Sequence, residues 1–129
     1  MGKYFTLDEL TKSSVAKRAG IKNIPNETQI ENLNNLIDNI LDPVREVYGK
    51  PIIVTSGFRC FELNDLVNGV RGSQHLTGHA ADIRSRYDTK EENKKIFDLI
   101  IKLDLPFDQL INEHDYNWIH VSYSDRNRR

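Results

Sequence analysis

"SQHLTGHAAD", Ser73 to Asp82, sets two histidines four residues apart and a carboxylate shortly after them. Around them stand a glycine, two alanines, a serine and a threonine. Whether this segment is a helix, or a loop running into a strand, decides the fold. A helix would put His75 and His79 on one face in the zinc-helix arrangement. Gly78 lies between them, however, and Leu76 occupies the place that arrangement gives to a general-base glutamate. The second alternative fits better: His75 in a loop, a sharp turn at Gly78, and a strand over "HAADIR". In an extended chain Ala80, Asp82 and Arg84 share one face, and His79, Ala81 and Ile83 the other. Asp82 then points from a strand, between alanines that leave room for a metal and its substrate.

Working outward, "PIIVTSGFR" predicts a short buried strand over Ile52, Ile53 and Val54, ended at Ser56-Gly57. "CFELNDLVNG" predicts a short helix closed by Gly69, and "GVRGSQHLTG" a loop. "FDQLINE" and "WIHVSY" predict two strands joined by "HDYN" as a hairpin. Upstream the signals are helical. Thr6 with Glu9 three residues on is a capping-box pattern. "SSVAKRAG" is a short helix stopped at Gly20, and Asn26 can cap the longest one. In that helix Ile30, Leu33, Leu36, Ile37, Ile40, Leu41, Val44 and Val47 recur at three- and four-residue steps. Pro43 predicts a kink or break at Asp42. Asp88, with Glu91 three on, predicts the start of a helix carrying Ile96, Leu99, Ile100 and Leu103. The sum is an α+β fold: a small mixed or antiparallel sheet with helices on one face and the polar site on the open one.

The 129 residues suit one domain, residues 1–129. With 38% hydrophobic and 29% charged residues they can build a core without disulfide staples. Cys60 is the single cysteine, so no disulfide forms within the chain. The net charge of -1 speaks against a nucleic-acid partner. "TLDELTKSSVAKRAGI" has the outline of the first helices of a helix-turn-helix. The segment after it, "NIPNETQIENL", carries Pro25 and two acidic residues but no arginine. The basic end, "DRNRR", is expected to be a solvated tail. No apolar run predicts a membrane span, and "MGKYFTLDEL" lacks the apolar centre of a signal peptide. The expectation is a chain made in the cytoplasm that reaches the cell wall on release at lysis or by non-classical export.

Of the three polar groups in the opening segment, His75 and Asp82 need a distant partner. His120 is the best candidate. In "WIHVSY" Trp118, His120 and Ser122 alternate with Ile119, Val121 and Tyr123, which leaves the imidazole on the open face. Two neutral nitrogens and a carboxylate suit Zn²⁺, with a fourth position for water.

"SQHLTGHAAD" resembles the Ser-x-His-x-x-Gly-x-Ala-x-Asp signature of the zinc D-Ala-D-Ala carboxypeptidases and phage peptidoglycan endopeptidases. Their superfamily also holds lysostaphin-type enzymes and the Hedgehog signalling domain. "TSGFRCFELNDLVNG" is similar to the family's Ser-Gly-Tyr-Arg block with its following Asn, and "FDQLINE" and "WIHVS" to its last blocks. The amino-terminal helices resemble its small phage and bacterial branch. The resemblance implies metal ligands at His75, Asp82 and His120. It implies a substrate-binding and catalytic arginine at Arg59 and a serine near the substrate at Ser73. His79 matches no ligand position.

The implied reaction is zinc-assisted amide hydrolysis of peptidoglycan peptides by a monomer, with no nucleic acid and no membrane insertion. A carboxylate must take the proton of water and return it to the leaving amine. Many relatives carry that carboxylate three residues before the second histidine, where this chain has Asn117. If Glu113 pairs with Trp118 across the hairpin, it shares a face with His120. Glu113 is therefore the expected base and Asp115 the alternative. Without a competent base the same scaffold would be a catalytically weak, zinc-containing module that binds cell-wall peptides.

Overall fold

Capping boxes start two of the amino-terminal helices. In the computed structural model, which describes residues 2–124, the Thr6 side chain accepts from Glu9 N–H, and the Glu9 carboxylate accepts from Thr6 N–H. This opens α1, Leu7–Thr11. α2, Ser14–Ala19, is capped by Ser13 and stopped by Gly20 at φ 71°. Asn26 and Gln29 form the second box and open α3, Glu27–Leu36. The basic end, Asp125 to Arg129, lies outside the described residues.

Of the kink or break expected at Asp42, the break does not occur. One π-helical turn, Ile37–Leu41, joins α3 directly to α4, Asp42–Tyr48, and Asp42 N–H reaches back to Ile37 O. Pro43 thereby falls in the first turn of α4, directly after the π turn. The Asp42 carboxylate meanwhile accepts from the backbone N–H groups of Lys3, at 2.6 Å, and Tyr4, at 3.0 Å. The π turn also explains where the apolar stripe ends. Leu33, Leu36, Ile37, Ile40, Leu41 and Val44 are buried. One inserted residue rotates the succeeding turns by about 100°, and Val47 is 53% exposed.

β1, Ile52–Ser56, leads through a loop into α5, Phe61–Leu66. The left-handed residue that closes α5 is Asn68, φ 59°, one before the expected Gly69. Asparagine tolerates that conformation, and Gly69 N–H is left to bond Asn64 O. β2 is Ala80–Ser85. α6, Lys90–Lys102, is capped by Thr89, which accepts from Glu92 N–H. The expected cap, Asp88, is instead the left-handed residue before it, φ 51°, donating its N–H to Ser85 O. β3, Leu110–Glu113, and β4, Trp118–Ser122, form the hairpin.

The sheet is four-stranded and antiparallel throughout, in the order β1-β2-β4-β3. One face packs on the helices: Ala81, Ile83, Ile119 and Val121 join Ile96 and Ile100 of α6 in the buried core. β1 is an edge strand, so of its three aliphatic residues only Ile52 is buried. The other face carries Ser56, Asp82, His120 and Ile111 in one row, by the pairings Ser56↔Asp82, Asp82↔His120 and Ile111↔His120. Among the described residues no helix is long and apolar enough to cross a membrane.

Candidate metal centre

His75 reaches the sheet from a loop that α3 holds in place. Gln29 donates to Leu76 O and Asn32 to Thr77 O, so the polar edge of α3 satisfies carbonyls a turn would otherwise expose. Gly78 follows at φ 81°, close against α3. A Cβ there would lie 2.6 Å from Gln29 O. Gly78→Ala is expected to destabilise the fold by about 2–3 kcal/mol, from the left-handed backbone and the clash together. Chemical denaturation checks this; a variant as stable as wild type would show that the loop yields freely.

Gly57 is needed for a second reason. A Cβ at this position would meet Leu10 O at 2.1 Å, where Phe58 N–H bonds the same carbonyl. This contact aims Gly57 O at the His75 ring, whose Nδ1 lies 2.7 Å away. With Nδ1–H donating to that carbonyl, Nε2 carries the lone pair. His75 Nε2 faces Asp82 Oδ1 at 3.3 Å, and His120 Nδ1 faces the same oxygen at 3.0 Å. Single donor atoms of His75, Asp82 and His120 all lie within 4.8 Å of one another. His75 is 3% and Asp82 9% exposed.

Arg59 closes the fourth side. Its Nη2 lies 3.6 Å from Asp82 Oδ2. Nε donates to Ser56 Oγ, Nη1 donates to Asn64 Oδ1, and the backbone N–H donates to His75 O. Burial pulls the guanidinium below its ordinary value, and the charge of Asp82 opposes that. For Asp82, burial raises the pKa, but the ring nitrogens of His120 and His75 that face its carboxylate outweigh it. The carboxyl is held well below the usual range. A carboxylate and two imidazoles converging at low exposure, one imidazole oriented by a backbone carbonyl, match the donor set and surrounding support of a zinc site.

Glu113 pairs with Trp118 in the register that puts it on the face of His120. Both line a groove of about 400 Å³ with Ser73, Gln74, Ile111 and Val70. Ser73 itself accepts from His75 N–H at 3.1 Å. Asp115 is not brought to the cluster: it is exposed and ion-paired with Lys90 of α6 at 2.7 Å. The hairpin turn sends it there by taking left-handed conformations at His114, Asp115 and Tyr116. The His79 ring bonds Thr77 Oγ1 at 2.6 Å and is no member of the cluster.

Two supports hold the arginine segment in place; of these, sequence reasoning noted only an asparagine following the Ser-Gly-Phe-Arg block, without a role for it, and missed Asn23. Asn64 is buried and bridges Arg59 to Val70 O. Asn23 clamps Thr11 O, Phe58 O and Cys60 N–H, fixing the segment that carries Gly57 and Arg59. A lone asparagine in a loop gives no periodic signal. For Asn64, five residues after Arg59, the resemblance to the arginine block with its following Asn gave the position, and the structure supplies the contact.

The family model described as Peptidase M15 matches residues 3–122. A comparison with curated proteins finds no match.

Proposed function

The chain belongs to the peptidase M15 family, and from that premise we propose a zinc peptidase, one domain over residues 1–129, that cuts an amide in peptidoglycan stem or cross-bridge peptides. The observation that carries this is the convergence of His75, Asp82 and His120 within 4.8 Å at the end of an arginine-lined loop. These three would hold the ion, which when bound acts as a Lewis acid toward a carbonyl oxygen and toward water.

The remaining work falls to the chain. Asn64 and Ser56 orient Arg59, whose fixed charge stabilises an oxyanion forming beside Asp82. Glu113, which lines one groove with Ser73 and His120, takes the proton of the attacking water and delivers it to the leaving nitrogen. Gly57 O keeps the His75 tautomer that leaves Nε2 available.

The test is metal removal. Purified protein with zinc is expected to cut stem peptides, to lose that activity with a chelator, and to regain it on readdition. Cleavage that survives a chelator would contradict the proposal. Asn117, where many members of the resembled family carry a carboxylate, favours a second reading, a zinc-containing peptide binder that turns over weakly. It predicts peptide binding without cleavage under the same conditions.

A further inference from the structure

Beside the row that holds the cluster runs a second row of the same sheet face. Ile53 pairs with Arg84, and Trp118 with Glu113. Continuing the β2–β4 register one step beyond Ile83↔Ile119 sets Arg84 level with Trp118. Arg84 and Trp118 also line one groove of about 540 Å³ with Asp82, Asn117, Thr55 and Asp88. The row therefore presents a base, an aromatic ring and an acid in order: Arg84, Trp118, Glu113. Its two charged ends are two strand spacings apart, about 10 Å between backbones.

Arg84 is underused within the fold. Nη1 donates to Ser85 O at 2.9 Å, and Nε lies 3.9 Å from Asp88 Oδ1, beyond hydrogen-bond distance. Nη2 has no partner among the described residues, and the side chain is 30% exposed. Asp82, the other charge close by, is engaged by the two imidazoles and Arg59. Asn117 puts a neutral amide in this groove.

We infer that Arg84 anchors a carboxylate on the leaving side of the substrate, within one residue of the bond cut. This rests on the role proposed for Glu113. Hydrolysis breaks the C–N bond and joins the hydroxyl of water to the acyl carbon. The water's proton passes through Glu113 to the leaving nitrogen. The departing residue then lies across Trp118, its amine toward Glu113 and its carboxylate on the Arg84 fork. That carboxylate has two sources, the chain end of a carboxypeptidase substrate or an acidic side chain in an endopeptidase substrate.

Three stem peptides separate them: a free acid with one residue after the bond, its carboxy-terminal amide, and an amide whose leaving residue carries a side-chain carboxylate. Zinc-loaded protein reports KM, and calorimetry on chelator-treated protein reports Kd without turnover. Wild type is expected to favour one of the two carboxylate peptides over the plain amide by about 10- to 100-fold. Arg84→Gln is expected to erase that preference and leave plain-amide binding unchanged, and Arg84→Lys to restore part of it. The preferred peptide names the source. Equal affinity of wild type for all three peptides, or equal weakening of acid and amide in Arg84→Gln, would overturn the inference. If wild type cleaves none of them, the peptidase proposal fails, and the Kd contrast still judges Arg84.

Discussion

Asp82→Asn is expected to lower zinc affinity by at least ~100-fold and to abolish zinc-dependent cleavage with it, since outer partners alone are worth 10–100-fold. Asp82 is the one anionic donor of the cluster, and the change keeps the side chain's size. Its effect is therefore electrostatic. Two neutral imidazoles remain, facing an amide and the Arg59 guanidinium, whose side chain is 16% exposed and loses its counter-charge. Thermal denaturation separates the two consequences. Wild type is expected to gain about 2.7 kcal/mol from zinc at a hundred times its Kd, and the variant at the same concentration about 0.4 kcal/mol or less. Without zinc the variant should already be less stable at neutral pH. Because the Asp82 carboxyl sits below its unfolded value, its contribution is present above the ordinary carboxylate range and lost as pH falls toward the folded value. Wild type and variant should thus converge in acid. Zinc binding equal to wild type would remove Asp82 from the ligand set.

Glu113→Gln is expected to cut kcat by about 10²–10⁴ with zinc binding and melting temperature nearly unchanged. The side chain is half-buried, in the groove it shares with His120, and makes no ion pair among the described residues. Little folding stability therefore depends on its charge. Asp115→Asn is the control: its exposed pair with Lys90 contributes little, and its carboxylate lies off the site face. The reverse pattern, loss with Asp115→Asn and retention with Glu113→Gln, would move the base to the turn. Normal kcat in both variants would exclude both carboxylates.

Much of the site was legible because local rules agreed. Alternation in "HAADIR" and "WIHVSY" sent Asp82 and His120 to one side of their strands, and the observed Asp82↔His120 pairing brings those sides level. Gly78 argued against a helix through His75 and His79, and its left-handed φ ends the loop. The capping boxes at Thr6 and Asn26 involve only neighbours three residues apart, so sequence suffices for them. Where a neighbour in space chose between local options, sequence reasoning slipped. Asp88 and Thr89 can both cap a helix, and Asp88 N–H bonding Ser85 O decided for Thr89. Pro43 can break a helix or start one. Asp42, holding the backbone of Lys3 and Tyr4, fits the π turn that made it a start.

By itself, then, the sequence determined the α+β class, the faces of its strands and the three candidate donors. Side-chain periodicity and backbone freedom are properties of short segments. The tertiary structure alone decided that Gly57 O orients His75, that Asn64 holds Arg59, that Asp115 turns to Lys90, and that Arg84 and Glu113 end one row. Each joins separate segments or depends on a turn's handedness or a strand's register, which packing sets as the chain closes on its core.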